Sequence, residues 1–196
     1  HLQGPRTQVV DAAGRRVLPG FNDAHVHLYW GGKSLNEVQL GGARSAEEMR
    51  DCIAAFASTR PRGEWITGGG WDPEGWSLPV EPTSALLDAA VPDHPVFVRR
   101  SDAHSSVANS LAMQLAGVDR HTADVPAGEI GRNAYGSLNG IFKDAAKALI
   151  ERVIPAPGPQ AIEEAILAAQ RHALSLGVTS VQDMGLIQVD NSWAEI

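Results

Sequence analysis

The chain has 196 residues, of which 43% are hydrophobic and 20% charged, the balance of a folded globular protein. No apolar run approaches the roughly 18 residues a membrane span requires, so no membrane anchor is expected. With 16 Lys and Arg against 23 Asp and Glu, a net charge of -7 and no basic cluster, a general nucleic-acid partner is excluded. One cysteine, Cys52, rules out an intrachain disulfide framework and a Cys-rich zinc module. Without a charged start followed by an apolar leader, the cytoplasm is the default location.

The segment TQVVDAAGRRVLPGF places two short apolar runs around an Ala-Gly turn, the pattern of a hairpin or of one strand leading into another. FNDAHVHL follows directly. Residues 45–57, SAEEMRDCIAAFA, predict a helix with Ser45 at its start and Glu48 three residues on, a capping-box signature, and with Met49, Ile53 and Phe56 at helical spacing. Cys52 in this setting is expected to be a packed small side chain rather than a reactive thiol. EWITGGGW reads as a strand running into a glycine-rich bend, and residues 72–82 as a long irregular loop of the kind that is functional or covers something. PTSALLDAAVP is a short capped helix, and HPVFVRRSDAH a buried strand with a polar end. SSVANSLAMQLAGV reads as a helix closed by Gly117, and GEIGRNAYGSLNGI as a hairpin about residues 133–136. KDAAKALIERVIP is a helix stopped by Pro155, and a PAPGP linker follows.

The clearest helix is PQAIEEAILAAQRHALSLG, with Ile162, Ala165, Ile166, Ala169, Ala173 and Leu176 on one stripe and Gly177 at its end. VTSVQDMG then reads as a core strand ending in Asp183, and LIQVDNSWAEI begins new structure. Alternation of strands and helices around one hairpin predicts an α/β fold with a largely parallel sheet. It supplies too few units for a closed eight-stranded barrel.

His25 and His27 lie two apart. On a strand both point to one face, so their imidazoles can converge on one ion, with Asp23 on the same face to bind or orient them. Spacing alone leaves open that they are ordinary strand histidines. Their place, where an apolar strand gives way to polar residues, is where parallel α/β folds put their chemistry. Of the other histidines, His94 reads as an exposed turn, His121 as loop, His172 as a packed or surface residue of the long helix, and His1 as a vector remnant. Trp71, Asp72 and Trp76 either wall an apolar pocket or pack the loop. Asp183 either assists the site or only ends its strand.

VLPGFNDAHVHL resembles the first-strand signature of the amidohydrolase superfamily. GGGWDPEGW, LDAAVPDHPVFVRRSDAHSSVANSLAM, GEIGRNAYGSLNGIFKDAA and LGVTSVQDMG, in this order, resemble its amidohydrolase 3 branch, which includes N-substituted formamide deformylase. The resemblance implies an α/β fold that is a partial (β/α)8 TIM barrel with a large insert at about residues 60–140. Residues 1–18 would be the remnant of a small β-sandwich and its linker, and residues 19–196 the N-terminal part of the barrel domain. It implies a hydrolase of amide or formamide C-N bonds that uses a divalent metal, zinc being the expected ion, on a small-molecule amide substrate. His25 and His27 would be metal ligands. His104, Asn109, Trp71 and Asp72 would contact substrate, although a helix cap plus a structural histidine explains His104 and Asn109 equally. Lys143 is a candidate carboxylated bridge, against a solvated lysine at a helix start. The remaining ligands and the general base of the family are not found in the chain, which is therefore read as a fragment that is incomplete as a catalyst. A non-catalytic binding or assembly module that keeps the barrel strands is the alternative, and an open sheet edge that pairs copies into a homo-oligomer is a further one.

Overall fold

The computed structural model describes residues 3–185; His1 and the new structure expected after Gly185 lie outside the described residues. In chain order these form β1 (Phe21–Val26), α1 (Leu28–Leu35), β2 (Val38–Gln39), α2 (Ala46–Ala57), β3 (Ile66–Trp71), α3 (Ser84–Ala90), β4 (Val96–Arg100), β5 (Ser105–Ala108), α4 (Ser110–Leu115), β6 (Gly128–Arg132), β7 (Leu138–Asp144), α5 (Ala148–Glu151), α6 (Pro159–Ser175) and β8 (Val178–Asp183). Among the described residues no helix is long and apolar enough to cross a membrane.

Two sheets result. β1 and β8 pair in parallel, and a six-stranded sheet runs in the order β2-β3-β4-β5-β7-β6. The larger sheet is parallel from β2 to β4 and antiparallel beyond, which corrects the largely parallel sheet expected. The cause is loop length: residues 101–104 and 133–137 are too short for a crossover, so they can only reverse the chain. No closed barrel occurs among the described residues. Residues 3–20 form no strand of a β-sandwich either; they are almost entirely exposed, with a turn at Ala13 and Gly14. The six-stranded sheet takes its strands from Val38 to Asp144.

The strands of the larger sheet alternate in the faces they bury. Val96 and Val98 of β4 join a cluster with Leu40, Met49, Ile53, Ile66, Trp71 and Leu87, while Phe97 between them joins Ala112, Ile130, Phe142 and Ile150 on the opposite face. Val107 and Ala108, and Ile141 and Phe142, divide in the same way. Residues 105–108, expected as the start of a helix, are instead a central strand, because pairing with β4 and β7 on both sides outweighs a weak local preference. Lys143 likewise lies in β7, not at a helix start; its Nζ is 3.2 Å from Glu129 on β6. In β3, Gly68 and Gly69 adopt φ of 130° and 146°, and a Cβ on either would strike the backbone of Val38 or Arg99.

Ser45 caps α2 as expected, accepting from Glu48 N at 3.1 Å, but the Glu48 carboxylate turns to Arg44 instead of closing the box on Ser45. Cys52 is exposed, off the Met49–Ile53 stripe, and not packed as expected. A third, small cluster of Tyr29, Ile162 and Ala165 joins α1 to α6. There Gly32 lies so close to α6 that a Cβ would overlap the Ala165 carbonyl. Leu176, assigned to the apolar stripe of α6, is 62% exposed. A cleft of about 790 Å³ is lined by Tyr29 and Ala165 of α1 and α6 and by Trp65 and Thr67 at the larger sheet, while Gln39 of β2 donates to Ser34 O of α1 beside it.

Candidate functional site

β1 ends at Val26, and His27 is the residue from which α1 starts. The rings of His25 and His27 are 5.5 Å apart at their centroids and inclined at 77°, and both side chains are exposed. His27 Nδ1 lies 3.3 Å from the Gly185 carbonyl. A carbonyl only accepts, so that bond puts the proton on Nδ1 and leaves the Nε2 lone pair free, the arrangement of a metal-binding imidazole. Asp183, directly beside Val26 in the β1–β8 ladder, accepts from Leu28 N at 3.4 Å and Gly185 N at 3.2 Å. It thereby ties the end of β8 to the segment that carries His27. Asp23 is occupied locally, accepting from His25 N at 3.1 Å.

The structure thus places His25, His27 and Asp183 at one end of the parallel pair, while Asp23 lies within the ladder opposite Val181. The donor chemistry of the two imidazoles fits a first-row divalent ion. Among the described residues no group of three or more His, Cys, Asp or Glu side chains is arranged to hold one. His172 is exposed on α6 and edges a groove of about 380 Å³ that His27 also lines.

The expected substrate-contact residues divide at the polar end of the larger sheet. Trp71 is fully buried, packs against Trp76 at 6.3 Å, and donates from Nε1 to Val98 O, so it fills the core. Asp72 caps the 3-10 turn Pro73–Gly75. Asn109 is fully buried and its amide is spent: Oδ1 accepts from Val96 N at 2.9 Å and Ala112 N at 3.0 Å, while Nδ2 donates to His94 O at 2.8 Å and Val91 O at 3.4 Å. It is the cap of α4 and a clamp between elements, closed to a substrate. His94 is buried, not exposed, with Nδ1 2.9 Å from Glu64 O. His104 alone of the set presents an exposed ring, hydrogen-bonded through Nδ1 to Asp144 Oδ1 at 2.8 Å.

Arg100 organises this end and was not singled out by the sequence. Its guanidinium, with the side chain 16% exposed, sits 5.9 Å from the Trp71 ring and meets Asp72 (3.9 Å), Glu74 (2.8 Å), Glu81 (3.3 Å) and Asp102 (3.3 Å). Burial acts to raise the Asp102 carboxyl, but the Ser105 and His104 backbone N-H groups, with the charges of Arg100 and His104, hold it below the usual carboxylate range. A charged residue closing the apolar run VFVRR was the available signal for Arg100. Asp144 was missed because IFKDAA reads locally as helix.

The sequence profile of the amidohydrolase family matches residues 8–195. The chain belongs to the amidohydrolase family. Protein LONG AFTER FAR-RED 3 of Arabidopsis thaliana is 35% identical to this amidohydrolase chain over 182 residues, 93% of the chain and 31% of that protein. N-substituted formamide deformylase of Arthrobacter pascens is 31% identical, over 74% of the chain and 27% of that protein. An uncharacterized metal-dependent hydrolase from Pyrococcus horikoshii has a similar structure, with a TM-score of 0.59 and 32% identity, over 83% of the chain and 30% of the hydrolase. The amidohydrolase chain therefore spans about a third of the length of these relatives, and His25, His27 and Asp183 all lie within the family match.

Proposed function

We propose that this amidohydrolase portion serves a metal-dependent hydrolase of amide or formamide C-N bonds, and that His25 and His27 hold its divalent ion, zinc. The observation that carries the reading is the pair of exposed imidazoles at the end of β1, one of them oriented by a backbone carbonyl. When bound, such an ion lowers the pKa of a water and polarises the scissile carbonyl. The chain's own part is positional. Gly185 O fixes the His27 ring, Asp183 fixes Gly185 and Leu28, and Asp23 fixes the backbone at His25. Two imidazoles are half of a four-coordinate shell, so the reading needs donors from outside the described residues, and the chain by itself is proposed to be a weak catalyst.

Metal analysis after dialysis against zinc tests the ligand assignment: the wild-type chain retains zinc, and the His25→Ala, His27→Ala double variant retains little. Equal contents would overturn it. The absence of a third donor among the described residues favours a second reading, a non-catalytic binding module; zinc-independent behaviour of both proteins would select it.

A further inference from the structure

The polar end of the six-stranded sheet holds an arrangement that the metal reading leaves unused. The ionised Asp144 carboxylate can only accept, so the proton of its 2.8 Å bond to His104 belongs to Nδ1. In the neutral ring Nε2 is then a bare acceptor. The side chain is 76% exposed, so with Nδ1 occupied, Nε2 is the nitrogen left to a ligand.

Both partners are held from several directions. His104 N donates to Asp102 Oδ1 at 2.8 Å, Ser105 N donates to the same oxygen at 3.1 Å, and Asp102 in turn faces Arg100. Asp144 N donates to His104 O at 2.9 Å, and Lys147 Nζ donates to Ala103 O. Ala103 has φ of 62°, and Asp144 has φ of 47° with ψ of -122°. Side-chain-bearing residues rarely adopt these conformations, and the surrounding bonds must hold them there. Asp102 and Asp144 are the carboxylates that meet His104, with Lys147 at the neighbouring Ala103 carbonyl, and a bare Nε2 acceptor suits a hydrogen-bond donor.

We propose that Asp144 fixes His104 in the Nδ1-H tautomer and that His104 Nε2 accepts a hydrogen bond from the N-H of a secondary amide, discriminating it from a tertiary amide that has no N-H to give. The choice of an amide rests on the C-N hydrolase reading; the tautomer does not. Asp144 is the positioning residue, and His104 the one that meets the ligand. A site built around such a bond rejects the analogue lacking the donor, because its own acceptor is left unpaired.

The test uses the full chain labelled with 15N-histidine in alkaline buffer, where imidazoles are neutral. Two-bond 15N-1H spectra report the tautomer. In wild type His104 carries its proton on Nδ1. In Asp144→Gly, where glycine suits the backbone angles and keeps the fold, the tautomer ratio moves by about fivefold toward Nε2-H, as loss of one ordinary hydrogen bond predicts. N-benzylformamide then shifts the His104 Nε2 resonance of the wild type, whereas N-benzyl-N-methylformamide and the Asp144→Gly variant each show at least tenfold weaker half-saturation. A wild-type Nε2-H tautomer would overturn the dyad. Equal responses to the two formamides, or none, would overturn amide recognition. Hydrolysis of N-benzylformamide by the zinc-loaded chain is scored separately and bears only on the hydrolase reading.

Discussion

Asn109→Ala separates two roles for a residue that the sequence offers as a substrate contact and the structure places in the core. The substitution removes the cap of α4, worth about 1 kcal/mol. It also strips the buried Val96 N-H of its acceptor and the His94 carbonyl of its donor, and buried polar groups left unpaired cost about 1–3 kcal/mol each. With partial relaxation the sum is about 3–5 kcal/mol, and at roughly 2–4 °C per kcal/mol for a chain of this size the midpoint falls by on the order of 10 °C. Urea and thermal unfolding followed by circular dichroism measure it. Asn109→Asp, which keeps the acceptor oxygen but presents a carboxylate to the His94 and Val91 carbonyls, is expected to be as damaging. A loss below about 1 kcal/mol, accompanied by weakened ligand binding, would refute the clamp and restore the substrate role.

Gly32→Ala drives a methyl into the Ala165 carbonyl and can be relieved only by parting α1 from α6, so a loss of about 2 kcal/mol or more is expected in urea unfolding, together with reduced zinc retention as the start of α1 shifts; an unchanged midpoint would contradict the close approach. Asp102, held below the usual carboxylate range when folded, contributes stability that is present above the unfolded carboxylate value near about pH 4 and is lost as pH falls through its lower folded value. The difference in urea midpoint between wild type and Asp102→Asn should therefore be constant at neutral pH and shrink below about pH 4. A difference that does not change across that window would remove Asp102 from the acid transition.

What was legible in the sequence was the local and the periodic. The stripe Ile162, Ala165 and Ala169 announced α6 and Ser45 announced the start of α2, whereas VLPG, read as the apolar strand ahead of the histidines, is exposed coil and β1 is FNDAHV itself. What was not legible was set by partners distant in the chain. Ser105 to Ala108 looks helical until β4 and β7 claim both its edges, and the same pairing carries Lys143 and Asp144 to the end of a strand. Arg100 gathers Glu74 and Glu81 from 26 and 19 residues away, a convergence no local pattern encodes. Asn109 is the instructive middle case. An Asn followed by SLAMQL is itself a helix-start signal, and of the two roles weighed for it, cap and substrate contact, the structure shows the cap.

The three apolar clusters share no member, and a cleft lies between the small one and the two that flank the six-stranded sheet. Energetic effects at sites without common partners add instead of interacting. For a lineage this means freedom: Val98 or Phe142 can change, and the sheet can be enlarged or recut, without retuning the Tyr29–Ala165 packing that stands behind the histidine pair. The packing beneath the histidine pair and the cores of the sheet are then separately editable parts.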